Sequence, residues 1–180
     1  LNEIFFEELE IRKPDFFLKV AGKNLGETMG NVLSKSYSLL EKIKPEALLV
    51  LGDTNSALCS ISAKRLKIPI FHMEAGNRCF DQNVPEELNR KIADHTSDIN
   101  LTYTENSRRY LLAEGIRKDF IFTKGSPLKE VLLNYTKEIE SSNILNQLSI
   151  EPQKYIVASI HREENLELKD NFKLIISSIL

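Results

Sequence analysis

Only two cysteines, Cys59 and Cys79, occur in the 180 residues. They are too few for a disulfide framework and too far apart for a CxxC zinc site, so a reducing cytoplasm is the expected compartment. An excess of one charge is also missing. The formal net charge is −2, which gives no basic footprint for nucleic acid or an anionic membrane. No apolar run approaches the roughly 18 residues a membrane span needs, and no signal-peptide pattern is present. Internal repeats and low-complexity tracts are absent. Neither HExxH nor a Cys/His cluster occurs. His72 and His95 stand among acids, but His72 and Glu74 at i, i+2 on a strand make a weak chelate, so no metal is expected.

What remains is a chain that is 42% hydrophobic, enough for a packed core. Met29, Val32, Leu33, Tyr37, Leu40 and Ile43 recur at helical spacing over residues 25–43, and Pro45 ends that helix. A short apolar strand, "EALLVLG", follows. The pattern then alternates: helix at about 55–67, strand "IPIFHME", helix opening at "VPEELNRK", strand "INLTYT", helix "ENSRRYLLAEG", strand "FIFTKG", and a helix from about Pro127. Strands apolar on both faces, alternating with helices, predict a Rossmann-like parallel sheet with helices on both faces. Residues 138–154 turn polar and lose periodicity before a fresh apolar strand, "YIVASI", then "HREEN" and a last helix. The expected organisation is most of a first domain over 1–140, a crossing segment over 141–153, and the start of a second α/β domain over 154–180. A start at Leu1 without methionine, and an end on an apolar run without a cap, read as an excerpt of a longer protein.

In open parallel sheets, ligands bind beyond the carboxyl ends of the strands. Asp53, Glu74 and His161 each stand where a predicted strand ends, and Glu86 opens the helix after the loop that leaves Glu74. Taken singly, each has a plain explanation. Asp53 or Thr54 could cap the next helix. Glu86 and Glu87 after Pro85 suit a helix dipole, and a lone His161 is more often structural. Glu74, between Met73 and Ala75, is poorly placed for free solvation. Arg78, Arg90 and Arg162 could clamp phosphate or be solvated charges. "GDT" after an apolar strand also suits the magnesium-binding acids of haloacid-dehalogenase-type phosphatases, but their DxD nucleophile strand is not present.

Together, "GDTNSAL", "IPIFHMEAGNRCFDQNVPEELNRK", "DINLTYTENSRRYLLAEGI", "TKGSP" and "ASIHREEN" resemble the non-hydrolysing UDP-N-acetylglucosamine 2-epimerase family. The resemblance runs from about residue 45 to residue 165. "HMEAGNR" with "PEExNRK" is its most specific part. The form "NRCFDQNVPEE" looks most like the branch that makes UDP-N-acetyl-L-fucosamine from UDP-2-acetamido-2,6-dideoxy-L-talose. The resemblance implies two Rossmann-like domains facing a cleft, the glycosyltransferase-B arrangement. This chain would cover most of the first domain and the beginning of the second. It also implies elimination of UDP across C1–C2 and re-addition with C2 inverted, without a cofactor. Asp53, Glu74 and Glu86 match the family's catalytic acids, and His161 matches its histidine near the diphosphate. The expected partners are a UDP-sugar and, for a full-length protein, a second copy. Three alternatives stand beside this reading: the plain UDP-GlcNAc to UDP-ManNAc epimerase, a glycosyltransferase of the same architecture, and a non-enzymatic scaffold half that is inert by itself.

Overall fold

A computed structural model describes residues 2–159 and 169–179. They fall into two compact units, Leu1–Pro127 and Leu128–Leu180. The first unit contains α1 (Asn2–Glu8), α2 (Leu25–Ile43), β1 (Leu48–Leu51), α3 (Cys59–Arg65), β2 (Ile70–Ala75), α4 (Pro85–Thr96), β3 (Ile99–Thr102), α5 (Glu105–Ala113) and β4 (Ile121–Thr123). A 3-10 turn, Asn55–Leu58, leads into α3.

Local chemistry sets the element ends. The Asn24 side chain accepts from the Glu27 amide at 2.9 Å, while Glu27 accepts from the Lys23 amide at 2.7 Å, a reciprocal cap that starts α2. Lys44, left-handed at φ 47°, closes the helix just before Pro45. Pro45 cannot continue the helix, and the chain turns into β1.

The four strands are parallel in the order β1-β2-β3-β4. The helices between successive strands pack on one face, as the usual right-handed crossover between sequential neighbours requires. That face carries Val50, His72, Asn100 and Ile121, aligned across the sheet and all buried. Its aliphatic core gathers Leu40, Val50, Ala57, Ala63, Ile68, Ile70 and Ala93, with a second cluster of Ala75, Leu111 and Ile121. Full burial of one Ile or Leu stabilises by about 1.5–3 kcal/mol. The expected parallel α/β sheet is therefore present. On the opposite face Leu49, Leu51, Phe71 and Phe122 are exposed within Leu1–Pro127, an apolar surface of the kind a second helical layer covers.

The second unit contains α6 (Leu128–Asn134), α7 (Thr136–Glu140), α8 (Ile144–Gln147) and α9 (Lys169–Ile179). The polar stretch expected to lack periodicity thus holds two short helices. The strand expected at "YIVASI" is not formed over residues 155–159. Ile156 is 95% and Val157 81% exposed. A strand needs a ladder partner, and apolar sequence alone does not supply one.

Candidate functional site

The carboxyl ends of β1 and β2 build the site. After β1 the chain turns at Gly52, left-handed at φ +71°, and presents Asp53. The capping explanation for this acid does not hold. Thr54 occupies the N-cap of the turn that follows, and its side chain makes no cap hydrogen bond. The Asp53 carboxylate instead pairs with Arg90 of α4 at 2.7 Å, with 26% of the aspartate side chain still exposed. A second contact, Asn89 to Asn55 at 3.0 Å, also docks α4 on this turn.

Glu74 lies one strand away. The register between β2 and β3 shifts between Met73 and Ala75, and Glu74 itself takes φ +66°. A non-glycine residue in that region is strained, and a bulge of this kind re-aims a side chain. Its carboxylate reaches back to within 3.6 Å of where a Cβ on Gly52 would stand. Asn77 donates to it at 3.2 Å, and Ser107 holds Asn77 at 3.0 Å. Tyr103, at the end of β3, is also close: burial, and then the charge of Glu74, push its phenol above the usual range. Asp53 and Glu74 are half-buried.

Glu86 stands exposed in the first turn of α4, four residues before Arg90 and so on the same side of that helix. Its neighbour Glu87 is fully buried. Burial works against the Glu87 charge, but the Cys79 amide and thiol, then Arg90 and Lys91, outweigh it and hold the carboxyl below the usual range. Glu87 thereby fixes the loop between Glu74 and Glu86 through the amides of Cys79 and Phe80, at 3.1 and 3.3 Å.

Arg78 is turned inward. Its guanidinium is fully buried between Asp94, at 2.7 Å, and Glu114, at 2.6 Å. Burial opposes its charge, but Glu114 and Asp94 more than compensate and raise its pKa above the usual guanidinium range. The expectation that Arg78 clamps phosphate meets a side chain whose donors are engaged within the fold. Arg90 differs: it bridges Asp53 and Glu87, and among the described residues its buried Nε has no hydrogen-bond partner. His161 and Arg162 lie outside the described residues. Among the described residues no group of three or more His, Cys, Asp or Glu is placed to hold a metal ion, and no helix is long and apolar enough to cross a membrane.

Glu87, Asn77, Tyr103, His72 and Asp94 help to build the site without being legible as site residues in the sequence. One signal was available. Glu87, Arg90 and Asp94 recur at helical spacing through α4, a polar stripe where a core-facing helix is normally apolar.

A parallel sheet with strained and paired acids at its carboxyl rim defines an α/β protein whose strand ends are a candidate polar ligand site. The sequence matches the UDP-N-acetylglucosamine 2-epimerase family over residues 1–180, and the chain belongs to that family. A UDP-N-acetylglucosamine 2-epimerase homolog of Methanococcus maripaludis is 42% identical over 183 residues, covering 100% of this chain and 51% of its own. The structure of UDP-N-acetylglucosamine 2-epimerase from Rickettsia bellii superimposes with a TM-score of 0.87 at 52% identity, over 98% of this chain and 48% of that one. The Methanocaldococcus jannaschii UDP-GlcNAc 2-epimerase, crystallised with UDP-GlcNAc and UDP, gives 0.89 at 35% identity, over 99% of this chain and 50% of that one. The chain thus spans about half the length of these relatives.

Proposed function

We propose that the protein carrying this chain epimerises C2 of a UDP-2-acetamido sugar by eliminating and re-adding UDP. The observation that carries the reading is the meeting of Glu74 and the Asp53 turn at the rim, with Glu86 on the helix docked there. Inverting C2 requires one group to remove its proton and another to return one from the opposite face, which positioned carboxylates do as general base and general acid. The departing diphosphate needs positive charge and donors. Arg90, whose guanidinium stands beside Asp53 with part of its side chain exposed, supplies positive charge at the rim, and Arg162 and His161 join it in this reading. Residues 154–180 then open a second Rossmann-like domain that closes over the substrate, and closure excludes water from the elimination. Arg78 serves by holding the loop. The working protein is a homodimer without a metal or cofactor, and its compartment is the cytoplasm.

The substrate we propose is UDP-2-acetamido-2,6-dideoxy-L-talose, converted to UDP-N-acetyl-L-fucosamine for capsule or O-antigen sugars. The loop "NRCFDQNVPEE" supports it. UDP-GlcNAc is the second reading, supported by the substrate named for the relatives above. Incubating the protein with each sugar in D2O, without an acceptor, decides. Deuterium at C2 of one sugar, seen by NMR, identifies the substrate. Turnover only with a glycosyl acceptor would overturn epimerisation in favour of a glycosyltransferase.

A further inference from the structure

Glu74 and the Asp53 turn come from separate strands, yet one buried imidazole is bonded to the frame of both. His72 Nε2 faces the Gly52 carbonyl oxygen at 2.9 Å, next to Asp53. His72 Nδ1 faces Asp94 Oδ1 at 2.8 Å. The same carboxylate accepts from the Gly76 amide, at 3.1 and 3.3 Å, and from Arg78 at 2.7 Å. His72 and Gly76 lie two residues before and two residues after Glu74. The strained residue is therefore gripped from both sides by Asp94, and the Asp53 turn is tied to the same ring.

The side chains of His72, Asp94 and Arg78 are all 0% exposed. A core that only needed filling would use aliphatic groups, because buried charges cost desolvation that their pairing often does not repay. What this cluster does that aliphatics cannot is satisfy the Gly76 amide beside the bulge and the Gly52 carbonyl. Positive φ at both Glu74 and Gly76, +66° and +78°, persists only where the surroundings over-determine it. Gly76 is confined further, since a Cβ there would collide with the Ser107 carbonyl oxygen.

We propose that His72 and Asp94 are positioning residues for the proton transfers at C2, holding Glu74 and the Asp53 turn at a fixed separation. This deepens the function proposed above and rests on it. A catalytic group misplaced by about 1 Å can cost about 10²-fold in rate without loss of the fold.

The test uses Asp94→Asn and His72→Gln, singly and together, with Ile70→Val as a packing control in the same strand. Each single variant should lower kcat about 10²-fold and leave KM within about threefold, because positioning is lost rather than binding. The double variant should fall little below the singles, since both break one device. Hydrogen exchange over residues 74–76 should accelerate in both variants and stay at the wild-type rate in Ile70→Val. Additive losses in kcat, a rise confined to KM, or unchanged exchange over residues 74–76 would overturn the proposal. Should Asp94→Asn not fold, His72→Gln and the wild-type Gly76 amide decide; an unprotected Gly76 amide in the wild type overturns the clamp. A wild type that epimerises no UDP-sugar removes the proposed function, and the exchange pattern then supports or overturns the clamp without reference to turnover.

Discussion

Arg90 reaches from α4 to the Asp53 carboxylate, 2.7 Å away, and turns its other arm to the buried Glu87 at 3.2 Å. One guanidinium thus holds an acid at the rim and anchors the loop that leads to Glu86. Lysine can supply the charge but not the two-armed geometry. Arg90→Lys should lower turnover at least about tenfold and cost about 1–3 kcal/mol, as Glu87 loses a charge-assisted partner. Steady-state kinetics and urea unfolding check both.

Glu74 sits in the left-handed region at φ +66°, where glycine is at ease and other residues are strained. Glu74→Gly should abolish epimerisation yet raise stability by about 1 kcal/mol, through relief of strain. Glu74→Gln keeps shape and strain but cannot accept a proton, and should reduce turnover about 10²–10⁴-fold. Comparing the two variants by chemical denaturation and turnover separates strain from chemistry. A Glu74→Gly protein less stable than wild type would contradict the account of the bulge.

Gly76 has no room for a side chain: an added Cβ would run into the Ser107 carbonyl oxygen and stand 2.9 Å from Leu111 Cγ. Gly76→Ala should destabilise by about 2–4 kcal/mol, from overpacking and an unfavourable φ together. The thermal midpoint provides the measurement.

Glu114 gives the fold an acid-sensitive component. Hydrogen bonds from Arg78 are the main cause; burial opposes them, His95 adds to them, and the carboxyl is held down at about 2 against an ordinary 4.5. Between those values the unfolded chain binds more protons than the folded one, so stability rises with pH there. The contribution is complete above about 4.5 and is lost as pH falls toward about 2. The wild-type thermal midpoint should therefore fall more steeply than that of Glu114→Gln over this window. Parallel curves would show that the bridge contributes nothing to folding.

The sequence by itself determined the alternation of strands and helices. The helix over Leu25–Ile43 and the four strands of the parallel sheet follow from local period and punctuation, which each short segment carries within itself. The strand ends, and hence Asp53 and Glu74 as site candidates, were legible for the same reason. Over residues 155–159 the same local signal is present but no strand forms, because a strand exists only with a partner to complete its ladder.

Tertiary structure decided what each side chain does. Nothing in "HMEAGNR" says that Arg78 turns inward to Asp94 and Glu114, sixteen and thirty-six residues away. Nothing in "PEELNR" says that the first glutamate stays in solvent while the second is fully buried. Those outcomes depend on which strand lies beside which and on where α4 docks. Pairing energies act through space between residues distant in the chain, whereas periodicity acts along it. The sequence therefore marked acids at the strand ends, and packing divided the surrounding charges into those left near solvent at the rim and those buried beneath it.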